Sequence, residues 1–436
     1  MKLFVRSLPS WAKPADVFVL LFADEPRSFW IDREHHPTAA FSVLGAAEKV
    51  EQQSSVNFPR LRELVGGLEA SATILDTGHD LPFDFRPGLV GFLEYEGAAE
   101  FLLVDRALVF DHATNVTYFL GNFEQESDFD AWYHAALLRL ALVGGQHGSY
   151  EYRHRRASAA GAISARLGRD DYLERIRRAQ AEISAGEVYQ LCLTNRLEFE
   201  FDADPLATFL ALRRDNPAPY SAIYRRDELA IICTSPEQFL TVDSNRIVTS
   251  RPIKGTRPRQ SDANEDQAQA AELATHPKEQ AENLMIVDLI RNDLSRVCRP
   301  ETVAVPSLFQ VESYATVHQL VSTVQGELAL ESDSIDALAS LFPGGSMTGA
   351  PKQRAIELLR ELEGGPRGVY SGVLGWLGCN NTADFGMVIR TIVSQAGQAY
   401  VGIGGGITSD SDPDSEYQET QLKAKALLGA VGKSAW

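Results

Sequence analysis

Positive charge is scarce in this chain. Its 41 Lys and Arg residues stand against 59 Asp and Glu, a formal net charge of −18. That balance argues against nucleic acid and anionic membrane surfaces as partners, because the average surface repels polyanions. An anionic small molecule must meet a local basic pocket instead. Cysteine is equally sparse: Cys192, Cys233, Cys298 and Cys379 lie far apart and form no CxxC. Such spacing builds neither a disulfide framework nor a zinc site. Long apolar runs are missing too. Residues 17–23 are too few to cross a bilayer and predict a buried strand. The first six residues lack the basic and apolar segments of a secretory leader. The expectation is a cytoplasmic protein with an ordinary packed core, since 44% of residues are hydrophobic and 23% charged.

What is present changes character near residue 150. Before it come short β-rich runs at 72–75, 88–93 and 101–104, then a helix at 128–142. Residues 150–169, rich in Arg, Ser, Ala and Gly, predict an exposed connection. Beyond it, an amphipathic helix over 170–185 opens on Asp170 and ends at Gly186. Strands are expected at 188–201, 220–224, 229–234 and 246–250, and one long helix at 265–297. Pro351 opens a further helix that Gly364-Gly365 closes. Strands at 372–376, 387–394 and 399–403 precede a last helix from Pro413. Strands and helices without regular βαβ alternation predict an α+β fold. The expected organisation is an N-terminal segment, 1–150, and a catalytic domain, 165–430, packed as one compact unit.

Carboxylates recur at metal-binding spacing. Glu279 and Glu282 share one helix face, and so do Glu416 and Glu419, with Lys423 on the same side. At about 100° per residue the last three side chains fall within roughly 60° of arc. An isolated ExxE pair is most often a solvated helix face. Here the second pair follows Gly402-Ile403-Gly404-Gly405-Gly406, a run able to offer backbone N–H groups to an anion. Two ExxE faces brought together would supply the hard oxygen ligands of Mg2+. The helix carrying the first pair runs on through residues 285–290, apolar nearly all round, which predicts burial. Two phosphate motifs fail. Gly344 and Gly349 have P-loop spacing, but Ala350-Pro351 replaces the required Lys and Ser/Thr. The 402–406 run does not complete GxGxxG, and no GxSxG is present.

Several segments, in order, resemble the chorismate-utilising enzymes, a family that includes anthranilate, aminodeoxychorismate, isochorismate and salicylate synthases. They are Ser235-Pro236-Glu237, Pro252-Ile253-Lys254-Gly255-Thr256, residues 279–297, His318-Gln319-Leu320-Val321-Ser322-Thr323, residues 342–352, Ile389-Arg390-Thr391 and residues 404–420. The likeness spans about residues 170–428; upstream it is confined to residues 41–45 and 91–95. It implies two large packed antiparallel sheets with helices outside, and a single chorismate site. It casts Glu279, Glu282, Glu416 and Glu419 as a Mg2+ shell that neutralises the ring carboxylate. Thr256, Tyr370, Arg390, Lys423 and the backbone of Gly404, Gly405 and Gly406 would hold the substrate, Arg390 through a bidentate contact. Glu237 matches the family's general acid and His318 an active-site histidine beside the ring; the alternative for His318 is a satisfied buried side chain.

Two positions separate the branches. Gln190 falls where the water-using synthases carry a lysine base, so it implies an ammonia user. Lys254 stands where anthranilate synthases typically have alanine. A desolvated amine there could attack C2 of the ring and expel the C4 hydroxyl, leaving ammonia to add at C4. Anthranilate synthesis is disfavoured by Lys254, and a silent chorismate binder by the joint presence of acid, nucleophile and four Glu. No segment resembles a glutamine amidotransferase, which implies a separate glutaminase subunit as ammonia source.

Overall fold

The computed structural model describes residues 1–8, 12–71, 73–74, 81–141 and 162–433. The connection expected at 150–169 falls largely outside them. Among the described residues the strands form one sheet of 13 and one of 10. Pairing is antiparallel except between Lys2–Leu8 and Thr73–Ile74. Both halves of the sequence contribute to both sheets. Arg27–Asp32 pairs with Tyr220–Arg226, Trp30 opposite Ile223. Gly88–Leu93 pairs with Val373–Gly378, Gly91 opposite Gly375.

The sheets pack face to face because each turns an apolar face inward. Phe29, Ile31 and Tyr224 of the larger sheet share one buried cluster with Val90, Phe92 and Trp376 of the smaller. The rings of Phe92 and Tyr224 meet edge to face across the gap at 5.4 Å. Helices cover the outer faces. Pro277–Leu294 buries Ile286, Val287, Ile290 and Leu294 against the smaller sheet. Pro413–Ala430 buries Ala424, Leu427 and Leu428 against the larger. This is the α+β arrangement expected from the sequence.

Four local expectations are corrected. Residues 17–23 lie not in a strand but in the helix Pro14–Phe22, with Pro14 in its first turn and Val17, Phe18 and Leu21 buried at helical spacing. The long helix at 265–297 is two, Ala263–Thr275 and Pro277–Leu294. Pro277 disfavours helical backbone at His276, which is extended at ψ 114°. The second helix is buried on one side only, with Leu284 44% exposed. Residues 387–394 are no single strand. Ala383–Met387 belongs to the smaller sheet and Thr391–Gln395 to the larger, and the chain crosses between them at Arg390. No helix among the described residues is long and apolar enough to cross a membrane.

Candidate active site

The site gathers where the chain passes from one sheet to the other. Leu229–Ser235 ends in the larger sheet and Gln238–Val242 begins in the smaller, with Glu237 at the passage. Arg390 occupies the reverse passage, and its carbonyl accepts from Thr234 N–H at 3.1 Å. Its φ of +51° is left-handed, a conformation that costs a residue with a Cβ about 1–3 kcal/mol. The Arg390 guanidinium makes no ion pair or side-chain hydrogen bond among the described residues. Burial lowers its pKa, while Tyr370 and Glu419 oppose that from a distance. A half-buried cation without a partner is a ready receptor for a carboxylate.

Lys254 projects from Ile253–Pro258 into a cradle. Its Nζ lies 3.9 Å from Glu282 Oε2, and Gln190 Nε2 donates to the same oxygen at 3.5 Å. Gln190 Oε1 is buried and has no partner, leaving an acceptor free for a ligand. Gly406 permits this approach: a Cβ there would lie 2.2 Å from Gln190 Nε2 and 3.3 Å from Lys254 Nζ. Beside it, a Cβ on Gly405 would stand 3.0 Å from Glu416 Oε2. Lys423 Nζ donates to the Gly404 carbonyl at 2.8 Å and pairs with Glu419 at 2.7 Å. Tyr370 is buried with its ring flat over Gly402, and burial raises its hydroxyl pKa.

Glu237 is buried, and burial pushes its carboxyl up to about 7; a hydrogen bond with Ser346 and the charge of Lys254 work against that rise. A carboxyl poised there can donate a proton near neutral pH. His318 is also buried, but its ring is engaged on both sides, Nδ1 with Ser313 Oγ at 2.8 Å and Nε2 with Asp266 Oδ1 at 2.9 Å. That is the satisfied arrangement. Thr256 is exposed and pairs across the strand with Gln319.

The four glutamates come from two helices aligned by Asn283 and Asp412. Asn283 is fully buried, accepting from Ser322 Oγ at 2.5 Å and donating to Pro252 O at 3.4 Å. Asp412 caps the other helix by accepting from Ser415 N–H. Glu282 and Glu416 converge on Lys278, whose Nζ lies 3.8 Å from the first and 3.6 Å from the second. Burial raises both carboxyl pKa values, and neighbouring carboxylates add to it. Glu279 pairs instead with Arg257 at 3.4 Å. With these rotamers no three acidic, His or Cys side chains among the described residues close on one metal position. The donor set itself fits Mg2+: hard oxygens from two helices, already gripping a cation in the form of the Lys278 ammonium.

Sequence reasoning missed Lys278 and Ser346. Lys278 precedes Glu282 by four residues and reads as a solvated partner; only the tertiary fold brings Glu416 to it. It also missed Arg367, which forks onto Glu363 at 2.8 and 2.6 Å and donates to the carbonyls of Met347 and Cys192. This buried pair clamps the strand that carries Gln190.

The chain belongs to the chorismate binding enzyme family, whose pattern matches residues 22–429. It is 44% identical, over 98% of its length, to an aminodeoxychorismate synthase of Streptomyces griseus, of which it spans 64%. It is 35% identical to aminodeoxychorismate synthase component 1 of Bacillus subtilis, covering 82% of this chain and 79% of that one. Among solved structures, anthranilate synthase component I of Streptococcus pneumoniae superimposes with a TM-score of 0.73 at 27% identity, covering 98% and 92% of the two chains.

Proposed function

We propose that this chain aminates chorismate at C4, giving 4-amino-4-deoxychorismate for p-aminobenzoate and folate synthesis in the cytoplasm. The observation that carries the reading is Lys254, an amine enclosed by Gln190, Glu282 and Gly406 and close enough to Glu237 for its charge to act there. The similarity to aminodeoxychorismate synthases supports it.

In this reading Arg390, with Tyr370, Thr256, Lys423 and the Gly404–Gly406 backbone, holds the substrate carboxylates and fixes the ring against Lys254. Held there, the ring needs no diffusive encounter with its nucleophile. The Lys254 amine adds to C2, both ring double bonds shift toward C4, and the C4–O bond breaks. Glu237 gives its proton to the departing oxygen, which leaves as water. Ammonia adds at C4, both double bonds shift back, the C2–N bond breaks, and its electron pair returns to Lys254. Gln190 cannot deprotonate water and need not, because ammonia is already nucleophilic. Mg2+ held by Glu279, Glu282, Glu416 and Glu419 would supply charge neutralisation for a bound carboxylate. His318, bonded to Asp266 and Ser313, orients the strand that pairs with Lys254. A separate glutaminase subunit supplies ammonia.

Lys254→Ala tests the covalent step. The variant is expected to bind chorismate and to lose the C4-amino product. Acid-quenched wild-type protein is expected to carry a substrate adduct on Lys254 by peptide mass. Formation of the C4-amino compound by the variant at the wild-type rate would contradict the role.

A further inference from the structure

Beside Glu237 lies a small cavity of about 10 Å³ whose polar wall includes Glu237, Ser250, Asp293 and Ser346. That is room for one water, with enough polar neighbours to hold it. Asp293 comes from Pro277–Leu294 and is 4% exposed. Its Oδ2 accepts from Lys352 Nζ at 2.6 Å, and the same ammonium donates to the Leu341 carbonyl at 2.9 Å. Lys352 opens the helix Lys352–Leu362 and keeps 16% of its side chain in solvent. An ion pair this buried is costly to keep, and it touches none of the groups that hold the substrate. It does run from the wall shared with Glu237 out to the surface.

We propose that Lys352, Asp293 and a water in this cavity form a proton path that reloads Glu237 after each turnover. The inference rests on the reading of Glu237 as the acid. Glu237 ends the first step as a carboxylate, having given its proton to the water that leaves C4. Ammonia then adds as the free base and the product leaves as its C4 ammonium, keeping all three of ammonia's hydrogens, while Lys254 departs as the neutral amine, so neither step returns that proton. One proton must come from solvent. Lys352 passes one to Asp293, Asp293 to the cavity water and the water to Glu237, while Lys352 takes another from bulk. Burial raises the Asp293 carboxyl and lowers the Lys352 ammonium, which brings their proton affinities together; Lys352 and Arg296 act against the first shift, Asp293 against the second. At the other end Lys254 is the charge acting on Glu237.

The test compares one turnover with many, using the full chain, chorismate, Mg2+ and ammonium in rapid-quench mixing. Asp293→Asn is expected to leave the first turnover and the KM for chorismate at wild-type values while steady-state kcat falls tenfold or more. The double variant Asp293→Asn with Lys352→Gln, which leaves no charge buried alone, is expected to show the same split. Wild-type kcat in both variants would overturn the path, and so would equal slowing of the first and later turnovers, the mark of structural damage. Glu237→Gln separates the two claims. Loss of its first turnover upholds the acid whatever the Asp293 variants do, and a normal first turnover would remove the acid and the path together.

Discussion

Burial lifts the Glu237 carboxyl from 4.5 to about 7, with Ser346 and Lys254 offsetting part of the effect. The folded chain therefore binds this proton more tightly than the unfolded one. The contribution to stability is fully present below pH 4.5 and is lost as pH rises through 7. Glu237→Gln removes that loss, so the variant should gain about 3 kcal/mol on the wild type at pH 8.5 and nothing at pH 4. The same change should lower kcat by about 10²–10⁴. Urea unfolding at the two pH values checks the first expectation, and an offset equal at both would show that the carboxyl is not raised. At this scale the sequence was informative about identity and silent about environment. Ser235-Pro236-Glu237 and the PIKGT segment pointed to acid and amine. Nothing local could report that Ser346 would reach Glu237, or that both nitrogens of His318 would be taken.

Helix starts were legible because their chemistry is local. Pro351 and the Asp412-Pro413 pair mark their helices in sequence and structure alike. Strand ends were harder. Val388 and Ile389 continue an apolar run, so residues 387–394 read as one strand; the break depends on a positive φ at Arg390 that its side chain does not announce. The strand Gln398–Ile407 carries the clearest element-scale prediction. A Cβ on Gly402 would meet the buried Tyr370 ring at 2.0 Å, whereas one on Gly406 would meet the movable amide end of Gln190. Gly406→Ala should therefore keep stability within about 1 kcal/mol of wild type, because the added methyl meets only the far end of a flexible side chain and no backbone. It should lose about 10²-fold in kcat/KM, as a misplaced reacting group does. Denaturant titration and chorismate kinetics on one preparation decide it; unchanged kcat/KM would mean the cradle does not confine the substrate.

For the whole molecule the sequence indicated fold class but not connectivity. The pairings of Arg27–Asp32 with Tyr220–Arg226, and of Gly88–Leu93 with Val373–Gly378, join strands about two hundred or more residues apart. Alternating hydrophobicity marks such strands without naming their partners. Sharing both sheets ties the N-terminal segment to the strands that carry the proposed site residues, so we expect a single cooperative unfolding transition. Calorimetry should give a calorimetric enthalpy equal to the van't Hoff value, with near- and far-ultraviolet dichroism changing together. An early transition confined to one half would show two independent domains. The chemistry proposed where those sheets meet is decided by the product. The purified chain, given chorismate, Mg2+ and ammonium at mildly alkaline pH, should form a compound with nitrogen on C4 and the enolpyruvyl group intact by mass and NMR. Anthranilate, isochorismate or salicylate in its place would contradict the account.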